Sequence, residues 1–277
     1  MKTYSNTYRI LNKLNQLGLL QFFNFKVSCI VNKNEYEIPV EGGLGLSHLV
    51  QVESWMNSLL FKYRDEFVAK HVLDIGVNIG QTLLKLKAIA PRCSYIGFEP
   101  NPYCLSYLSK LCELNKLTNT AIIPMALSDT SDVVELLFDN DSPVDSSAGI
   151  NRLYRRGTKR KINIHTAVPD ELTILKHKNI GLIKIDVEGA ELEVLNGLTE
   201  LIRKNLPIIF IEILPVYDVE NKDRLDRQSK IQKIIESLNY QIYRINEKTA
   251  SEKLIKQFEI HGDLTKCNYI LKPQGAN

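Results

Sequence analysis

The 277-residue chain contains nothing close to the ~18 consecutive apolar residues of a membrane-spanning helix. Its ten N-terminal residues lack both an uninterrupted apolar stretch and a small-residue cleavage site. They do not read as a secretory signal, so a cytoplasmic protein is expected. None of the five cysteines (Cys29, Cys93, Cys104, Cys112, Cys267) belongs to a C-x-x-C pair, and an odd count argues against a disulfide framework. They are expected to be free buried thiols in a reducing compartment. A net charge of only +3 is too small for a nucleic-acid partner. No internal repeat or low-complexity tract interrupts the chain. Hydrophobic and charged contents of 44% and 24% are those of an ordinary globular protein large enough for one substantial core.

What is present concentrates in Val72-Leu-Asp-Ile-Gly-Val-Asn-Ile-Gly80. A short β-type run carries the acid Asp74. Gly76, Asn78 and Gly80 follow, and Gln81–Ile89 then has helical spacing. Strand, tight glycine turn and helix N-terminus make the nucleotide-cradling corner of an open α/β sheet. An acid beside the turn repels a pyrophosphate but attracts an ammonium or a ribose hydroxyl, which favours S-adenosylmethionine over a dinucleotide. The first turn is not G-x-G-x-x-G and no tyrosine is followed four residues later by lysine, both of which weigh against a nicotinamide oxidoreductase.

Two further strands end in acids. Ile96-Gly-Phe-Glu99-Pro-Asn101 places Glu99 19 residues after Gly80, where such units carry the carboxylate for a ribose diol. Leu182-Ile-Lys-Ile-Asp186-Val-Glu188-Gly-Ala-Glu191 repeats the pattern. There, Glu188 and Glu191 could equally be serving a helix N-terminus.

Elsewhere strands and helices alternate, so the fold class is α/β, a mostly parallel sheet covered on both faces. Core strands are expected at 72–75, 95–98, 121–124, 181–185 and 207–213, with closing strands at 240–245 and 268–272. Asn101-Pro102 begins a helix, with asparagine as N-cap and proline in the first turn. A further helix is expected at 228–238, and 133–138 and 161–168 read as inserted strands. Residues 1–45 form an N-terminal appendage, a helix followed by a hairpin turning at Asn32-Lys-Asn34, and 46–277 form the core domain. The helix within residues 5–23 suits docking onto that domain or onto a second copy of the chain. Membrane contact is the other reading, although its polar face carries little positive charge.

Taken together, Asp74-x-Gly76-x-Asn78-x-Gly80, Phe98-Glu99-Pro100-Asn101, Ala126-Leu127-Ser128, Lys184-Ile-Asp186-Val-Glu188-Gly189-Ala-Glu191 and Ile211-Glu212 resemble the FkbM family of methyltransferases over residues 70–215. The resemblance implies a Rossmann-like class I methyltransferase fold, a seven-stranded sheet with one antiparallel strand, S-adenosyl-L-methionine as cofactor, and O-methylation of a sugar, glycan or other hydroxyl-bearing metabolite. By the same resemblance Asp74, Gly76, Asn78 and Gly80 map to the methionine-side cradle, and Glu99 to the ribose, with Asn101 beside it. Ala126, Leu127 and Ser128 map to the adenine, with Asp129 facing its amine. Asp186 maps near the reacting methyl group. Members often carry Thr-Leu-Asp-Asp before the fourth core strand; here Thr166-Ala-Val-Pro-Asp170 stands in its place.

An alcohol needs a base to become a nucleophile. Asp186 and Glu188 are the first candidates, with Glu212 near them. His261 is a second choice, His165 a third, and both histidines are of types more often found at the surface. Asp186, Glu188 and Glu212 could also gather oxygen ligands for a divalent cation, but no metal site is expected. The acidic 139–149 segment and the basic run Arg152, Arg155, Arg156, Lys159, Arg160 and Lys161 suggest an acceptor lid or a solvated loop. A catalytically silent binding module, or a subunit of a partner enzyme, stays as the alternative function.

Overall fold

The computed structural model describes residues 6–50, 53–139, 148–151, 153 and 157–275. Five strands carry the parallel part of the sheet: β3 (His71–Ile75), β4 (Ser94–Phe98), β5 (Thr120–Ile123), β9 (Ile180–Ile185) and β10 (Ile208–Glu212). All six residues of β9 are buried, as a strand with helices over both faces requires. Three more strands, β11 (Tyr240–Asn246), β12 (Ser251–Ile255) and β13 (Asn268–Pro273), extend one edge. The order is β12-β11-β13-β10-β9-β3-β4-β5. Strand β13 runs antiparallel to β10 and to β11, the reversed strand of the seven-stranded Rossmann-like sheet. The eighth strand, β12, was not expected and folds back on β11 as an antiparallel edge.

The two-residue period of these strands sorts side chains onto two faces. Leu73, Ile75, Ile183 and Ile185 pack beneath α6 (Glu191–Gly197), α7 (Thr199–Asn205) and α8 (Lys222–Ser237). Val72, Tyr95, Leu182 and Phe210 pack beneath α2 (Ser54–Lys62), α4 (Gln81–Ile89) and α5 (Pro102–Leu114). A single turn, α3 (Arg64–Phe67), follows α2. Helix α8 starts six residues earlier than its apolar stripe suggested, because the Asn221 side chain accepts from the Arg224 N–H and caps it there.

The expected hairpin is β1 (Asn24–Val31) and β2 (Asn34–Glu41), turned by Asn32 and Lys33. Both turn residues have positive φ (47° and 70°), the geometry that matches strand twist in a two-residue loop. Helix α1 (Asn6–Gln16) lays Tyr8, Leu11 and Leu14 against Leu20, Val40 and Leu46. Tyr36 and Ile38 of β2 join the same buried cluster as α2, α4 and α5. The Asn115 side chain pins β2 through Glu37, accepting from its N–H (2.8 Å) and donating to its carbonyl (2.8 Å).

The inserted strands form their own sheet. β7 (Val133–Phe138) pairs antiparallel with β8 (Arg160–Ala167), and β8 pairs parallel with the short β6 (Ala126–Leu127). All five cysteines are free, and Cys93, Cys104 and Cys267 are buried.

Candidate functional site

At the carboxyl edge of the parallel strands a cavity of about 300 Å³ opens among the ends of β3, β4, β9 and β10. Strand order changes direction at this edge, which is where open α/β sheets bind ligands. The first loop is shaped by three positive φ angles, at Gly76 (86°), Asn78 (51°) and Gly80 (89°). The two glycines serve different ends. A Cβ at Gly76 would lie 1.9 Å from the Asp186 carbonyl oxygen, so this residue lets β3 and β9 close around the cavity floor. A Cβ at Gly80 would instead meet Leu108 at 2.8 Å, so that glycine seats α4 on α5 and is not in the cavity wall.

Glu99 ends β4 with its carboxylate almost fully enclosed. Oε2 accepts the Asn78 N–H at 2.7 Å and Oε1 accepts the Asn101 N–H at 2.8 Å. Each oxygen keeps a lone pair free of these amides, and both can accept from a vicinal diol. Burial pushes the carboxyl up to about 7, against the pull of the two backbone N–H groups. The Asn101 side chain is spent on capping α5, where it accepts from the Tyr103 N–H at 3.1 Å.

Asp74, expected at the methionine-side cradle, is not among the residues lining the cavity. It is completely buried beneath the loop, directly opposite Lys184 on β9. Tyr95 donates to Oδ2 at 2.5 Å, and the Lys184 ammonium lies 3.6 Å from Oδ1, 3.0 Å from Asp186 Oδ2 and 3.0 Å from the Gly76 carbonyl to which it donates. Burial pulls the lysine down, but the Asp186 and Asp74 carboxylates outweigh it and hold its pKa above the ordinary value. Asp74 thus anchors the lysine that braces the loop and orients Asp186. Its partners, Tyr95 and Lys184, come from within the protein.

Besides Glu99, four carboxylates among the described residues face the cavity: Glu53, Asp186, Glu188 and Glu212. Glu188 and Gly189 both have positive φ (53° and 105°), a turn that brings Glu188 into the wall. Burial and the carboxylates of Asp186, Glu188 and Glu53 push Glu212 up to about 9. Glu191 faces inward on its own helix, accepting the Gly189 N–H at 2.8 Å. An acid-rich end of this kind stabilises a cation. Among the described residues no group of three or more His, Cys, Asp or Glu has the arrangement of a metal site.

The opposite end is apolar, walled by Phe98, Ala126, Leu127, Leu136 and Ile150. Ser128 and Asp129 lie outside it. Ser128 is buried against Asp129, whose exposed carboxylate accepts from the Asn196 side chain at 3.2 Å. His261 is not brought to the cavity either. It lies beyond β10 with its backbone N–H on the Val216 carbonyl, while its ring is held below its ordinary pKa by burial and by Lys266 and Arg244. His165 sits on β8, directly opposite Val133, and is likewise absent from the wall.

Residues 148–150 of the expected lid do line the cavity. Residues 140–147, Arg152, Arg155 and Arg156 fall outside the described residues. Arg160 stacks over Phe138 (4.3 Å) and Tyr103 (5.1 Å), and Lys161 pairs with Glu135, so these two brace the small sheet. The Thr166–Asp170 segment is structural as well. Thr166 donates to the Thr130 carbonyl, and Asp170 accepts the Glu200 and Leu201 N–H groups at the start of α7.

The sequence reading missed Glu53, Gln81, Cys104 and Leu136. Glu53 has positive φ (52°) at the start of α2 and is held by Lys85 at 3.1 Å. Nothing in its local sequence marks it. Cys104 had a faint signal, one helical turn beyond Asn101, and its thiol donates to the Asn78 side chain at 3.5 Å.

An α/β sheet with one reversed inner strand and a glycine turn after its first core strand defines the Rossmann-like class I methyltransferase fold. The family described as "Methyltransferase FkbM domain" matches residues 74–245, more than half of the chain, and the protein belongs to that family. Similar proteins include "Methyltransferase sdnD" of Sordaria araneosa, 27% identical over 156 residues (47% of this chain, 60% of that protein). Another is "Hexuronic acid methyltransferase AglP" of Haloferax volcanii, 27% identical over 167 residues (60% and 65%). The chain thus matches less than two thirds of these relatives' lengths. A crystal structure of "Methyltransferase FkbM" from Methylobacillus flagellatus superposes with a TM-score of 0.47 at 17% identity, covering 74% of this chain and 44% of that one.

Proposed function

We propose that the chain is an S-adenosylmethionine-dependent methyltransferase that methylates a hydroxyl of a sugar, glycan or related metabolite. The observation that carries this reading is the shape of one cavity. Glu99 stands between an apolar wall, suited to an adenine, and four carboxylates, suited to a cation. Glu99 would hold the ribose hydroxyls, and Phe98, Ala126, Leu127 and Ile150 the base. Gly76 and Asn78 would face the methionine portion. S-adenosylmethionine supplies an electrophilic methyl group on a positively charged sulfur and leaves as a neutral thioether.

The protein's own contribution is alignment, charge and proton removal. Holding acceptor oxygen and methyl carbon in line can supply ~7–11 kcal/mol. The acceptor's proton passes to a carboxylate as its oxygen forms the new bond to carbon. Asp186, fixed by Lys184, and Glu188 are the candidates at the loop after β9, with Glu212 alongside at the end of β10. That AglP is named for a hexuronic acid supports a sugar-type acceptor. Calorimetric titration with S-adenosylmethionine tests the site: saturable binding that weakens roughly 10- to 100-fold in Glu99→Ala is expected, and no binding to the wild-type chain would overturn the assignment. Release of S-adenosylhomocysteine with hydroxyl-bearing sugars then separates an enzyme from a silent binder.

A further inference from the structure

A second cavity, of about 560 Å³, adjoins the first, and Glu53 stands in the wall of both. It is built largely by the β11–β12 hairpin. Four basic side chains line it, Arg244, Lys248, Lys253 and Lys266, against two acids, Glu53 and Glu247. Both acids already have partners, Lys85 for Glu53 and the Asn268 amide for Glu247 (2.9 Å). Arg244 pairs with Glu259 at 2.6 Å and Lys266 with Asp263 at 3.3 Å. Lys248 has no carboxylate at ion-pair distance among the described residues, and Lys253 shares the field of Glu259 with Arg244.

The strand register adds an independent argument. Arg244 and Lys253 sit directly opposite one another across β11 and β12. Like charges in that position are destabilising; the Glu259 carboxylate answers one of the two, and a bound anion would answer the other. The remaining wall includes Trp55, only 5% exposed and packed into the core cluster behind it.

We propose that this second cavity is the acceptor site and that it takes a sugar bearing an anionic group, a carboxylate or a phosphate. The anion lies among Lys248, Lys253 and Arg244, while a hydroxyl of the same molecule reaches past Glu53 to the carboxylate end of the first cavity. The position of the anion fixes which hydroxyl arrives there. The assignment of methyl transfer to the first cavity is presupposed; the anion site itself is not dependent on it.

Trp55 is the chain's single tryptophan, so its fluorescence reports on this cavity directly. The full chain is titrated at constant ionic strength with glucuronate, glucose 6-phosphate and glucose. A saturable change with either anionic sugar, and none with glucose, is expected; glucuronate alone identifies a carboxylate, glucose 6-phosphate alone a phosphate. The exposed pair Lys248→Ala/Lys253→Ala should weaken that binding at least tenfold and leave calorimetric S-adenosylmethionine binding unchanged. An equal response to glucose, no saturable response to either anionic sugar, or a double variant that binds sugar as the wild type does would overturn the proposal. So would a double variant that also loses S-adenosylmethionine, because the lysines would then be acting on the first cavity. If the wild-type chain binds the anionic sugar but no S-adenosylmethionine, the methyltransferase reading falls and the anion site stands.

Discussion

Asp74 and Lys184 occupy facing positions on β3 and β9, and the ammonium approaches the fully buried carboxylate to 3.6 Å. Removing one partner of such a pair strands the other charge in a medium that solvates it poorly. Lys184→Met should destabilise the fold by about 3–5 kcal/mol, and Asp74→Asn placed in the same chain should return part of the loss. Denaturant unfolding measures both; equal stability of the single and double variants would show that the two groups are not coupled.

The two glycines of the first loop should respond differently to alanine. Gly76→Ala drives a methyl group into the Asp186 carbonyl and should abolish S-adenosylmethionine binding along with stability. Gly80→Ala presses on Leu108 and Leu111, so stability should drop while any chain that folds still binds. Paired calorimetry and thermal melts distinguish the outcomes, and the idea fails if Gly76→Ala binds normally.

Glu99 is half ionised near neutral pH, and only its carboxylate form accepts from two hydroxyls. Affinity for S-adenosylmethionine should therefore rise as pH is raised through about 7. Glu99→Ala should cost roughly 10- to 100-fold, the range for hydrogen bonds to a charged group. A flat pH profile in the wild type would argue against ribose recognition by this acid.

The sign is opposite for fold stability at Glu212. Its folded-state pKa, about 9, lies above the ordinary carboxylate value, so the folded chain binds the extra proton between the two. Stability is then greatest on the acid side of this window and falls as pH rises toward about 9. Glu212→Gln should flatten that decline, read from melting temperatures across the range. A steeper decline in the variant would reverse the assignment.

Asp186→Asn keeps the shape of the β9 loop but weakens its ion pair with Lys184. If this acid takes the acceptor's proton, turnover should collapse while S-adenosylmethionine affinity changes little. Undiminished turnover would move the base to Glu188, since Glu212 keeps its own proton up to about 9.

The core strands were legible because each is a short apolar run ended by an acid or a turn residue, a local signal. Glu99 and Asp186 were legible for the same reason. Asp74 was legible as a strand acid, but its facing of Lys184 was not. Its position opposite Lys184 depends on strand register, which no single segment encodes. Glu53 enters the site through a left-handed backbone at the start of a helix outside the recognised motifs. His261 attracted notice only by residue type, and residue type does not say which end of a strand a loop will cover. Strand β12 is polar and exposed, so its hydrophobic pattern is faint; only pairing with β11 makes it a strand.

The clamp between Asn115 and Glu37 carries a consequence for shortened versions of the chain. Helix α5, which the clamp grips near its far end, also delivers Asn101 and Cys104 to the cavity, and Tyr107 of the same helix donates to the Pro39 carbonyl. The N-terminal hairpin therefore works as a splint along that helix. Trimming it away would bare Tyr107 to solvent and loosen the wall that Glu99 leans on.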